Sequence, residues 1–90
     1  MVGFELRVHS AAYRHGVSHA EVVHAYNHAI SWRLLDDHAE PSKFILIGAD
    51  WAANLIEMIG TQKADGAVFI FHAMRLRAKH HNDLFDREGQ

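Results

Sequence analysis

Three apolar segments follow one another closely in the second half of the chain, and the short connections between them limit the folds it can adopt. They cover residues 44–48, 55–59 and 68–72. The second connection contains Asp65-Gly66, a dipeptide that favours hairpins. Connections this short join antiparallel strands and leave no room for a parallel crossover. The spacing therefore predicts an antiparallel meander.

A strong helix-start signal precedes this region. Ser18-His19-Ala20-Glu21 forms a capping box, in which each of the two end residues satisfies a backbone N–H of the other. We expect a helix from residue 18 to about residue 30, with one apolar face packed on the sheet. His24 and His28 fall on the opposite side of this helix.

Weaker patterns complete the order of elements. Residues 75–85 are predicted to be helical because Leu76, His80 and Leu84 are spaced at four. In two further segments, residues 4–8 and 31–35, apolar and polar residues alternate as they do in β-strands. Residues 10–15 fit one or two helical turns. The predicted fold is therefore α+β: N-terminal helices, a roughly four-stranded antiparallel sheet and a C-terminal helix, in one domain spanning residues 1–90.

Composition excludes several classes of protein. Hydrophobic residues make up 49% of the chain, which argues against disorder. The chain has no cysteine, so it has no disulfide, thiol nucleophile or cysteine zinc site, which fits a cytoplasmic protein. No apolar run approaches the about 18 residues of a membrane helix. Nine histidines and a formal net charge of -2 remain to be explained.

A group of cations follows the last predicted strand. Arg75, Arg77 and Lys79 come directly after His72, with no acidic residue among them. Arginine and lysine can hold a phosphate, and a histidine beside them can move a proton near neutral pH. These residues would suit metal-free RNA cleavage, in which the ribose 2′-hydroxyl attacks the neighbouring phosphate. A solvated basic helix face is the other interpretation.

Three other features each admit two interpretations. His24 and His28 can share a metal ion, but no third ligand is evident, and polar surface residues are the simpler interpretation, so we expect no metal or cofactor. Trp51 at a turn can stack on a base or anchor a partner, or it can fold back onto the sheet edge. Glu57, within an apolar strand, faces outward or points to the basic cluster.

The motifs of this chain, taken in order, resemble the short BrnT-like toxins of bacterial type II toxin–antitoxin systems. The likeness runs from about residue 9 to residue 79. The motifs that carry it are Arg14-His15-Gly16-Val17-Ser18 with Glu21 and His24-Ala25, then Ile47-Gly48-Ala49-Asp50, Asn54-Leu55-Ile56-Glu57, and His72-Ala73-Met74 with Arg77 and Lys79. The chain departs from better-studied members of this family at Met74, where they carry an arginine, and at Ala53, where a glycine is usual.

The resemblance implies a RelE-like fold and a metal-independent ribonuclease that blocks translation. Its substrate would be RNA or ribosome-bound mRNA, and a cognate antitoxin would neutralise it, in a homodimer or a toxin–antitoxin hetero-oligomer. We expect His72 to transfer protons, with His15 as a second candidate, and Arg75, Arg77 and Lys79 to hold the phosphate. With Trp51, these cations are the predicted RNA contacts. The alternative, favoured by Met74 and the net charge of -2, is a non-catalytic binding module for a protein or nucleic acid.

Overall fold

The computed structural model describes residues 5–36 and 42–80, which form one α-helix against one mixed sheet. The sheet has five strands in the order β1-β5-β4-β3-β2. The elements in chain order are β1 (Leu6–Val8), α1 (His19–Asn27), β2 (Ala29–Asp36), β3 (Lys43–Ala49), β4 (Leu55–Gln62) and β5 (Val68–Arg75).

Helix α1 begins at the predicted capping box. The backbone N–H of Glu21 donates to the Ser18 hydroxyl at 3.1 Å, and the N–H of Ser18 donates to the Glu21 carboxylate at 2.8 Å. The helix ends at Asn27, earlier than predicted, because the chain enters strand β2 at Ala29. The predicted turns at 10–15 form a four-residue 3₁₀ helix, Ser10–Tyr13.

The prediction of N-terminal helices, a four-stranded antiparallel sheet and a C-terminal helix is wrong in three respects. The N-terminal region has a single α-helix. The sheet has a fifth strand, because β1 pairs in parallel with β5, in register from Leu6 opposite Val68 to Val8 opposite Ile70. Periodicity identified the strand at residues 4–8 but not its partner, since that pairing joins segments about sixty residues apart in the chain.

The third error concerns the predicted helix at 75–85. Strand β5 continues to Arg75, and the N–H of Leu76 still donates to the carbonyl of Leu55 at 2.9 Å. A three-residue 3₁₀ turn, Ala78–His80, follows, and residues 81–85 lie outside the described residues. Pairing with β4 thus overrides the helical spacing, because a paired backbone cannot also form helical hydrogen bonds.

Both faces of the central strands are buried. On one face, α1 and the 3₁₀ helix cover a hydrophobic core that includes Ala12, Val22, Ala25, Leu46, Met58 and Ile70. On the other face, Ile45, Ile47 and Glu57 are also buried, and Ile47 lies directly opposite Glu57. A charged residue therefore lies among buried apolar residues of this sheet face, and it defines the candidate site.

The structure contains no helix, within its described residues, that is long and apolar enough to cross a membrane.

Candidate functional site

A β-bulge in β5 brings ring-bearing side chains onto the sheet face that carries Glu57. Ile59 pairs with His72 and Gly60 pairs with Ile70, so Phe71 has no partner between them. The extra residue bends the strand and redirects its side chains, which is the usual effect of a β-bulge. Gly60 is required there because a Cβ atom would lie 2.3 Å from the carbonyl oxygen of Phe69. As a result, Phe71 and His72 line the same cavity.

This cavity has a volume of about 530 Å³ and lies where the 3₁₀ helix meets β5. Its floor is aromatic and aliphatic, and its polar groups are imidazole and guanidinium groups. The side chains that line it are His9, Ala11, Arg14, His15, Ile59, Phe69, Phe71, His72 and Arg77. A concave apolar site with a few convergent polar groups is the usual form of a binding or active site.

Glu57 anchors one wall of the cavity although it is itself fully buried. Its Oε2 accepts hydrogen bonds from Nε2 of His72 at 2.8 Å and from Nη2 and Nε of Arg77 at 2.7 and 3.0 Å. Its Oε1 accepts the backbone N–H of Arg77 at 2.8 Å. His80 Nε2 lies 3.8 Å from Oε2. A buried carboxylate is tolerated only with such partners.

The hydrogen bonds determine the charge of Glu57. Burial alone raises the pKa of its carboxyl group, but hydrogen bonds from the side chain and backbone of Arg77 and from His72 outweigh burial and hold the pKa below its ordinary value. In return, the hydrogen bond to Glu57 raises the pKa of Arg77. The pair is therefore a carboxylate and a guanidinium at neutral pH.

The charge of Glu57 fixes the tautomer of His72. An ionised carboxylate only accepts hydrogen bonds, so Nε2 of His72 must carry the hydrogen. In the neutral ring the lone pair is then on Nδ1, which can accept a proton from a substrate. The carboxylate also stabilises the imidazolium that forms when it does, as in other carboxylate–histidine pairs. Nδ1 is thus the ring nitrogen of His72 that Glu57 does not engage.

His15 lies against His72 from the other side of the cavity. The two ring centroids are 5.4 Å apart and the planes meet at 66°. The short loop that carries His15 is anchored at both ends by buried residues, Ala12 and Val17. Gly16 allows the chain to turn there because its φ of 90° is in the region that favours glycine. His15 is exposed, so its ring can reach a ligand in the cavity.

The structure brings together some of the predicted site residues and separates others. His15, His72 and Arg77 share the cavity, and Arg14 lies beside them. Arg75 and Lys79 do not line the cavity. Arg75 shares a sheet face with the core residue Ala73, and Lys79 is exposed in the last 3₁₀ turn.

Trp51 occupies the β3–β4 turn and does not line the cavity. Its ring packs on His24, with centroids 4.4 Å apart, and His24 stacks on His28 at 4.1 Å. The turn is held by Asp50, whose carboxylate accepts the N–H groups of Ala52 and Asn54. The hydrogen bond from the backbone N–H of Asn54 is the main reason that the pKa of Asp50 is lowered, and the charge of Arg75 adds a smaller effect.

Sequence reasoning missed two contributions to the site. Arg14 was not predicted as a site residue, and the pairing of Glu57 with His72 was not anticipated. Of the two interpretations of Glu57, the structure supports the one in which it points to the basic cluster, because it pairs with Arg77. The available signal was a lone carboxylate in an apolar strand, since a charge on a buried strand needs partners. Within the two described stretches, no group of three or more potential ligands is placed to hold a metal ion.

Comparison of the chain with protein-family models, with curated proteins and with solved structures finds no match. Function is therefore inferred from the residues of the cavity and from the resemblance of the sequence motifs.

Proposed function

We propose that this protein is a metal-independent endoribonuclease and that it acts in the cytoplasm as the toxin of a type II toxin–antitoxin pair. The observation that carries the proposal is the placement of a carboxylate-oriented histidine, His72, opposite a second histidine, His15, in a cavity that also holds Arg14 and Arg77. Two histidines and a cation meet the requirements for cleavage by an internal 2′-hydroxyl.

In this proposal His72 is the general base and His15 is the general acid. Nδ1 of His72 takes the proton from the ribose 2′-hydroxyl, whose oxygen forms a bond to the adjacent phosphorus. The bond from phosphorus to the 5′-oxygen breaks, and protonated His15 donates a proton to that oxygen. The products are a 2′,3′-cyclic phosphate and a 5′-hydroxyl, so the step needs neither a water molecule nor a metal ion.

Two arginines can stabilise the charge that develops on the phosphate. Arg77 uses Nε and Nη2 for Glu57 and keeps its remaining donor edge, and its side chain is 38% exposed. Arg14 is exposed and forms no ion pair within residues 5–36 and 42–80. Arginine is suited to phosphate because its forked donors match two oxygens.

The toxin role is supported by the motifs shared with BrnT-like proteins, which include His15, Glu57, His72 and Arg77. In this proposal a cognate antitoxin blocks the cavity, in a hetero-oligomer of the two proteins. Ribosome-bound mRNA or free RNA is the substrate.

The direct test is RNA cleavage by the purified, untagged protein in the presence of EDTA. We expect cyclic-phosphate products and no cleavage of the same oligonucleotide with 2′-O-methyl groups. His72→Ala should reduce the rate about 100-fold or more, and His15→Ala should reduce it as well. Lys43→Ala is the matched control, because Lys43 is an exposed cation outside the cavity and is not among the predicted RNA contacts, and it should retain the parent rate.

Two results would overturn the proposal: loss of all cleavage in EDTA, or a His72→Ala variant as active as the parent. In cells, expression alone should stop growth, and His72→Ala or Arg77→Ala should relieve the arrest.

A non-catalytic binding module is the second candidate. One observation favours it: Glu57 neutralises Arg77 and leaves Arg14 as the cavity arginine without an ion pair among the described residues. RNA or protein binding without cleavage in the same assay would support this candidate.

A further inference from the structure

Three aromatic rings form a cluster on the outer side of α1, away from the cavity that contains His72. His24 packs against His28 at 4.1 Å with planes 15° apart, and against Trp51 at 4.4 Å. Trp51 is 66% exposed, which is unusual for an indole that also packs on another ring. We call His24, His28 and Trp51 the ring cluster.

Hydrogen bonds hold the ring cluster in place without a ligand. Nδ1 of His24 donates to the carbonyl of Ala49 at 2.9 Å, and Nδ1 of His28 donates to the carbonyl of His24 at 2.8 Å. Asp50 braces the turn that carries Trp51. A ligand that stacks on these rings would therefore lose little free energy in ordering them.

The same bonds determine what the cluster offers to a ligand. Because Nδ1 donates in both histidines, Nε2 carries the lone pair in each neutral ring. The two rings are stacked with centroids 4.1 Å apart and planes only 15° from parallel, so a single ion cannot lie in both ring planes at bonding distance. The cluster is thus a stacking surface with two hydrogen-bond acceptors and is unsuited to chelation.

A second cavity, of about 430 Å³, adjoins the ring cluster and is lined by its three rings together with His19, Ala20, Val23 and Asn27. Its volume is within the range of about 300 to 1,000 Å³ that is usual for small-molecule sites. Asn27 is exposed and adds an amide that can both donate and accept. Flat stacking faces with an amide and imidazole acceptors at the edge match a nucleobase.

From these observations we infer that the ring cluster is a nucleobase-binding subsite, with Trp51 as its stacking face, for the RNA that the cavity of His72 cleaves. The inference rests on the proposed function. A hydrogen bond links the chain segments that carry the two cavities, since the Tyr13 hydroxyl lies 2.6 Å from Nδ1 of His19. His19 lines the second cavity, whereas Arg14 and His15, directly after Tyr13, line the first. An RNA strand that crosses residues 13–19 would reach both cavities.

The test uses a short 2′-O-methyl RNA, which cannot be cleaved, and the Trp32→Phe protein, in which Trp51 is the only tryptophan. Trp32 is a suitable residue to replace because it packs on Phe44, away from the ring cluster. We expect the oligonucleotide to quench Trp51 fluorescence. Binding to the variants is measured by the fluorescence anisotropy of a labelled oligonucleotide, because Trp51→Ala lacks the Trp51 signal. Trp51→Ala and His24→Ala should weaken this binding about tenfold, the effect of losing one stacked base.

An abasic scan separates stacking from a general loss of affinity. One abasic residue is moved along the oligonucleotide, and we expect a single position at which it weakens binding to the Trp32→Phe protein. The same abasic oligonucleotide should bind Trp51→Ala no worse than the intact one does. An abasic effect that is unchanged by Trp51→Ala would overturn the inference.

The two proposals can fail separately. If the protein cleaves RNA but Trp51→Ala abolishes the abasic effect at no position, the subsite is refuted and the ribonuclease proposal is unaffected. If Trp51→Ala abolishes the abasic effect at one position but the parent protein does not cleave RNA, the base-binding subsite is supported and the ribonuclease proposal is refuted. Absence of any RNA binding would overturn both.

Discussion

Replacing Glu57 by glutamine tests whether the buried carboxylate holds the site together. The substitution keeps the size of the side chain and an oxygen for the N–H of Arg77, but it removes the charge that Arg77 and His72 face. Removing one partner of a buried ion pair costs about 3 to 5 kcal/mol. Arg77 is 38% exposed and can turn to water, so we expect the lower end, about 3 kcal/mol.

A loss of this size should leave the protein folded, because a domain of this length has a free energy of unfolding of about 5 kcal/mol or more. Urea unfolding followed by circular dichroism is the assay, and we expect the midpoint to fall by about 1 to 3 M. Glu5→Gln is the matched control, since Glu5 has an exposed ion pair with Arg7 and its loss should barely move the midpoint.

The loss of unfolding free energy caused by Glu57→Gln should also depend on pH. The pKa of Glu57 is below its ordinary value of 4.5 in the folded protein, so the folded state binds this proton less readily than the unfolded state. The carboxylate's contribution is therefore complete above about pH 4.5 and is lost as the pH falls through the lower folded-state value. The difference between the parent and Glu57→Gln should narrow below pH 4.5. Equal midpoints, or a difference that grows as pH falls, would refute the reasoning.

Three further substitutions test local features of the backbone by urea unfolding. Gly60→Ala should destabilise the protein by about 2 kcal/mol or more, because the new Cβ would lie 2.3 Å from the carbonyl of Phe69; an unchanged midpoint would contradict the bulge. Ala53→Gly should stabilise it by about 1 kcal/mol, since Ala53 has a φ of 67°; destabilisation would show that no strain is relieved. Ser18→Ala should cost about 1 kcal/mol by removing the cap of α1, and a cost near zero would show that the box does not hold the helix.

Features that depend on neighbouring residues could be predicted from the sequence. The capping box needs only Ser18 and Glu21, and it forms as expected. The hairpins joining β3, β4 and β5 follow from their short connections. These predictions succeed because the partners lie within a few residues of one another, so the pattern contains all the information that the contact requires.

Features that depend on distant pairing could not be predicted in this way. The parallel partner of β1 lies at the far end of the chain, and no periodicity encodes it. The bulge opposite Gly60 was hidden for the same reason, because a strand shows its extra residue only when it is aligned with its partner. The predicted phosphate site assumed that Arg75, Arg77 and Lys79 lie at the start of a helix, and β5 instead extends through Arg75.

The charges of the cavity would reconcile an acidic protein with the RNA substrate that we propose for it. Glu57 and Arg77 cancel each other, and Arg14 then leaves one positive charge, which balances one phosphodiester group. The formal net charge of -2 affects how strongly the protein attracts RNA from a distance. The rate of cleavage would depend instead on charges within a few ångströms of the phosphate, because solvent ions screen the more distant ones. Cleavage should therefore be sensitive to Arg14→Ala even though a single cation is a small part of the charge on the chain.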